Sequence, residues 1–190
     1  ARSATTIRTW RSRSTASELF PPPSTGRNSR AEYNSFPNAR THVSGSIHIG
    51  GQLVSAFSYA GWSSKDSLNG ALALADPITA FADGEAVVLN QDQVSGKVVL
   101  IKRAVIPSGE RKGQNGYGVQ ALAAQNAGAI GVVFANNDEE NANGVVGMAS
   151  TGEAIHVPVV MISHSEGERA IELGAGAPVA ITGLDVEIDA

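Results

Sequence analysis

Two apolar runs flank an alanine-rich segment in the middle of this chain. Val98 to Ile101 is the first run and Ile130 to Ala135 the second. A short, unbroken apolar run reads as a strand covered on both faces, hence a central strand. Gly96-Lys97 introduces the first run, and Lys102-Arg103 ends it. Residues 104–116, with Pro107, Gly109, Gly113 and Gly116, read as a long loop. Residues 117–127 read as a helix whose small residues Ala121, Ala124 and Ala127 let it approach a sheet closely. Gly128 is a natural left-handed stop after it. The order is therefore strand, loop, helix, tight glycine turn, buried strand.

Together these residues resemble the protease-associated (PA) domain family. Its usual core is Gly-Lys, an apolar run and Arg, then an aromatic residue, then A-Q-x-A-G-A and a buried strand. Gly96, Lys97 and Arg103 stand at the first positions, and Tyr117 where the family usually carries Phe. Ala124-Gln125-Asn126-Ala127-Gly128-Ala129 matches the last element in full. Val157-Pro158-Val159-Val160-Met161-Ile162-Ser163 is similar to the family's later strand, with Pro158 kept and Val157 in place of Ile. The resemblance spans residues 45–183 and implies a non-catalytic domain that recognises or positions proteins and peptides, often beside a peptidase. The chain departs from the pattern in two places. The cysteine many members carry after the Arg is absent, and the 104–116 loop is longer than usual.

Elsewhere the domain reads as beginning near Thr41. Val43, Ile47, Ile49, Leu53, Val54 and Phe57 suggest one or two strands broken at Gly50-Gly51. Residues 58–70 read as a polar loop, Ala71 to Ala75 as a short strand, and Asn90 to Gly96 as a turn. Ser165 reads as the N-cap of a helix over 166–173, with Glu166 and Glu168 at its positive end. Val179 to Thr182 and Leu184 to Ile188 read as two final strands.

Residues 1–40 differ in kind. They hold seven Arg and two Glu (+5), against seven Lys+Arg and sixteen Asp+Glu (−9) in residues 41–190. Pro21-Pro22-Pro23 reads as a stiff polyproline spacer. Thr5, Ile7, Thr9 and Trp10 lie in a β-prone stretch suited to strand addition on a neighbour's sheet edge. Trp10, Leu19 and Phe20 are apolar anchors for a protein groove. A basic arm on an acidic body can reach another copy of the chain. Arg2, Arg8, Arg11 and Arg13 around Trp10 also suit nucleic acid, but no recognised nucleic-acid module accompanies them.

Tests for catalytic chemistry return little. The absence of cysteine excludes disulfides and thiolate metal sites. His42, His48, His156 and His164 are scattered without H-E-x-x-H spacing. The Asn136 to Asn141 loop offers oxygen ligands but lacks the EF-hand spacing. Gly113 to Gly118 is not a phosphate loop. Ser163-His164-Ser165 places hydroxyls beside a histidine, yet sequence neighbours do not form a triad, and a strand end with a helix cap accounts for them. No apolar run approaches the roughly 20 residues needed to span a bilayer. The start at Ala1, without an apolar leader, is the start expected of a processed mature protein or an excised fragment.

The expectation is an α+β, PA-like curved β-barrel or sandwich over 41–190, flanked by two short helices, with an extended arm over 1–40. No catalytic residue, metal or cofactor is expected, and the setting is extracellular or the cell surface. The first functional reading is a self-assembling, non-catalytic subunit that forms a homo-oligomer or filament through its arm. The alternative is the substrate-recognition or regulatory PA domain of a larger secreted peptidase. A small hydrolase is the third, and no residue set supplies its nucleophile and base together.

Overall fold

The computed structural model describes residues 31–36, 39–104, 116–150 and 152–189. Thr5, Ile7, Thr9, Trp10, Leu19 and Phe20, and most of the long 104–116 loop, lie outside the described residues.

The elements run β1 (Ala31–Phe36), β2 (Ala39–Ile49), β3 (Gln52–Leu53), β4 (Phe57–Tyr59), β5 (Leu68–Leu74), β6 (Phe81–Ala82), β7 (Glu85–Ala86), α1 (Gln91–Val94), β8 (Val98–Lys102), α2 (Tyr117–Asn126), β9 (Gly131–Ala135), β10 (Val159–Ile162), α3 (His164–Leu173) and β11 (Pro178–Asp189). One mixed sheet has the order β1-β2-β11-β5-β8-β9-β10-β4, with β3 paired to β2. Its middle, β5-β8-β9-β10, is parallel, and both flanks are antiparallel. A parallel pair needs a long crossover, and α2 supplies the one between β8 and β9. The sheet curls so that β4, at one end, comes back beside β2 and β11.

Alternation along the parallel strands divides the interior in two. Val98, Leu100, Val133, Ala135, Val160 and Ile162 face an inner core with Ile47, Ile49, Phe57, Leu72 and Ile181. Val99, Ile101, Val132, Phe134, Val159 and Met161 face an outer core with Ala121 and Ala124 of α2. Both faces of these strands are thus buried, which is why the sequence there is apolar without a break. Full burial of a side chain such as Phe134 or Leu100 is worth about 1.5–3 kcal/mol.

Several local readings are corrected by long-range pairing. The stretch 58–70, read as a polar loop, contains the end of β4 and the start of β5. Only tertiary partners reveal them, because Ser58 and Asn69 interrupt the apolar pattern. Asn90 to Gly96 is more than a turn: α1 fills it, and a third helix joins the expected pair. The two final strands are one, β11, with an irregularity between Thr182 and Asp185 where Gly183 takes φ 64°. The cap of α3 is Ser163, whose side chain accepts the Glu166 N–H, and Ser165 lies inside the helix. β1 pairs with β2 through Ala31–Val43 and Tyr33–Thr41, so the sheet extends back into the stretch read as arm.

Candidate functional site

The parallel strands β8, β9 and β10 end together, and their carboxyl ends carry a polar cluster centred on Asn136. Such edges are where open α/β sheets commonly hold ligands. Asn136 follows β9 directly and is 1% exposed. Its side chain is held at both ends: Oδ1 accepts from Arg103 Nη1 at 3.0 Å and from the Asn137 N–H at 3.0 Å, while Nδ2 donates to the Gly144 carbonyl at 3.1 Å. Its own carbonyl lies 3.3 Å from His164 Nδ1. Lys102 Nζ reaches Glu168 Oε1 of α3 at 2.6 Å. The Lys102 hydrogen bond lowers the Glu168 carboxyl from its ordinary value, against the opposing effect of burial.

The Ser163-His164-Ser165 triplet is spent on structure. Ser163 Oγ caps α3 and lies 3.3 Å from Ser165 Oγ. Ser165 Oγ lies within hydrogen-bond reach of two acceptors, the Ala142 carbonyl at 3.1 Å and Asn143 Oδ1 at 2.8 Å. The imidazole meets the Asn136 carbonyl. Among the described residues, no three His, Asp or Glu side chains gather as a metal site. No helix of the described chain is long and apolar enough to cross a membrane.

The motif residues are brought together around the β8-α2-β9 unit. Gly96 takes φ 73° and donates its N–H to the Gly128 carbonyl at 2.8 Å. Lys97 accepts the Ile130 N–H at 2.9 Å, and the Arg103 N–H bonds the Ala135 carbonyl at 2.8 Å. Tyr117 stands edge-on to Phe134, with ring centroids 5.1 Å apart. Gln125 holds the returning chain, donating to the Ala154 carbonyl at 3.1 Å and accepting the His156 N–H at 2.6 Å. Ala127 and Ala129 are buried, Gly128 takes φ 90°, and Pro158 accepts the Val132 N–H at 2.9 Å. Sequence reasoning noted Asn136 only as one oxygen donor of a polar loop, and the structure gives its side chain to Arg103, Asn137 and Gly144 instead; it did not single out Ser58. A polar residue closing a five-residue buried strand was the available signal for Asn136, because a buried amide must find partners.

A family model described as the PA domain matches residues 49–170. Among solved structures, BSAP, a zinc aminopeptidase from Bacillus subtilis, is similar with TM-score 0.56 and 19% identity, over 86% of this chain and 34% of its own. An aminopeptidase from Aneurinibacillus sp. has TM-score 0.51 and 15% identity, over 85% of this chain and 35% of its own. A psychrophilic subtilisin-like protease from an Antarctic Pseudoalteromonas sp. has TM-score 0.52 and 18% identity, over 76% of this chain and 35% of its own. At such identities the likeness is one of fold, and the chain spans about a third of the length of each of these proteins. Comparison with curated proteins finds no match.

Proposed function

The chain belongs to the PA domain family, and from that premise we propose that it serves as the recognition or regulatory domain of a larger secreted peptidase, with no catalytic role of its own. One observation carries this reading. The same fold occurs within a zinc aminopeptidase and within a subtilisin-like protease, which cleave peptides by different chemistry. A domain common to both supplies something other than the reacting groups. The local geometry supports the same view, since the hydroxyls beside His164 cap a helix and pin a turn. Determining the complete open reading frame tests it. A peptidase domain encoded in frame with these residues is the expected result, and a complete frame without one contradicts it.

Self-assembly through the arm is the second reading, favoured by the +5 and −9 charge split between residues 1–40 and 41–190. Truncation at residue 40 is a poor test, because it removes β1 and opens β2. Light scattering on 1–190 against 31–190 is the better comparison. Large particles with the longer chain alone support assembly, and equal monomers refute it.

A further inference from the structure

Between β9 and β10 the chain crosses the outer core as a strap without helix or strand pairing from Gly144 to Ser150. Among the described residues, backbone-to-backbone bonds tie this crossing to the body near its two ends, at the Ala142 carbonyl and at the Val157 carbonyl. Between them the body holds it by side chains, at alternate residues. Asn136 Nδ2 donates to the Gly144 carbonyl at 3.1 Å, Ser58 Oγ to the Val146 carbonyl at 2.7 Å, and Trp62 Nε1 to the Met148 carbonyl at 3.0 Å. Carbonyls taken at i, i+2 and i+4 along one side are the pattern of an extended chain. Ser58 belongs to β4, Trp62 to the turn that follows it and Asn136 to the position directly after β9, and two of them, Asn136 and Ser58, are 1% and 7% exposed. The Val146 and Met148 side chains pack on the outer core, as do those of Trp62 and Tyr117.

We infer that Asn136, Ser58 and Trp62 form a groove that reads the main chain of an extended peptide with aliphatic side chains at alternate positions, and that the strap occupies it as a built-in competitor. Buried donors aimed at carbonyls place few demands on sequence, while the apolar floor selects aliphatic side chains. An external segment of that chemistry binds when the strap lifts, so its apparent affinity is reduced by the fraction of molecules with the groove vacant. This deepens the recognition role proposed above and rests on it.

The test uses the full chain and a labelled peptide, acetyl-Gly-Val-Val-Gly-Met-Ala-amide, which copies residues 144–149. In Val146→Ser/Met148→Ser the strap is loosened. The peptide should bind that variant at least about tenfold more tightly than the wild type, and adding Ser58→Ala and Trp62→Phe should abolish the gain. A loosened variant with wild-type circular dichroism that fails to bind the peptide overturns the inference. So does a gain that survives loss of the Ser58 and Trp62 donors. Should the loosened variant not fold, exchange of the Trp62 indole N–H in the wild type decides. Exchange through an opening well below the global unfolding free energy supports a strap that lifts, and exchange only by global unfolding rejects it. A gene without a peptidase domain would leave these outcomes unchanged, so the two proposals fail separately.

Discussion

Glu166 and Arg169 together tie α3 to β2, β3 and the segment that follows β3. Glu166 Oε1 accepts the Ser55 N–H and hydroxyl, both at 3.2 Å, and its Oε2 accepts Arg169 Nε at 2.9 Å and Nη2 at 2.7 Å. Arg169 Nη1 goes on to the Ile49 carbonyl and Gln52 Oε1. Burial opposes ionisation of Glu166, but the Arg169 and Ser55 bonds outweigh it and hold the carboxyl below its ordinary value. A depressed folded pKa adds stability that is fully present above the unfolded value, about 4.3, and is lost as pH falls through the folded one. Glu166→Gln should therefore cost about 1–2 kcal/mol at neutral pH, and urea titrations should show the gap from wild type closing below about pH 4.3. The Gln125 clamp makes a sharper comparison. Gln125→Glu keeps an acceptor for the His156 N–H but sets a carboxylate against the Ala154 carbonyl, so it should destabilise more than Gln125→Ala, which costs about 1 kcal/mol. Sequence pattern marked Gln125 through its motif but gave no partner for it, because both partners lie about thirty residues on in an irregular segment.

At the scale of elements, close approach explains two glycines. Gly128 ends α2 at φ 90°, and a Cβ there would also lie 2.8 Å from Ser95 Oγ. Gly128→Ala should lower stability by about 1–3 kcal/mol, read as a shift in the denaturation midpoint at unchanged slope. Gly167 sits where α3 meets β9, and a Cβ would overlap that of Ala135. Helix propensity alone favours alanine by about 1 kcal/mol, whereas overpacking costs about 1–3 kcal/mol. A net loss is expected, and a Gly167→Ala variant more stable than wild type would show that the helix can move away. The β8-α2-β9 unit was legible in sequence because each of its parts is local: apolar runs, small helix residues, a glycine stop. β4 and the length of β5 were not, since Ser58 and Asn69 take their places from partners distant in sequence. The helix cap was misplaced by two residues because Ser163 and Ser165 are equal candidates until the direction of β10 fixes where helical geometry begins.

For the molecule as a whole, the parallel strands serve two cores at once, so neither can melt alone. Leu100→Ala, on the inner face, should cost about 2–5 kcal/mol and Val99→Ala, on the outer face, somewhat less. In both variants tryptophan fluorescence and far-ultraviolet circular dichroism should report one coincident transition, and separated transitions would show two independent cores. The mixed, curved sheet with short helices was foreseen in outline, through a resemblance resting on residues now seen around one β-α-β unit. The polar edge at Asn136 and the strap it helps to hold were not, because they arise only when β4, β9 and the crossing segment meet in space. The proposal is that the domain serves a peptidase to which it is joined and, in its recognition form, that it engages that enzyme's substrate. Its most direct test compares the complete polypeptide with a form lacking this domain, measuring kcat/KM on a folded protein substrate and on a dipeptide analogue. The account predicts a loss of about tenfold or more for the protein substrate, equivalent to at least about 1.4 kcal/mol, with little change for the small one. Equal rates on both substrates with and without the domain would contradict it.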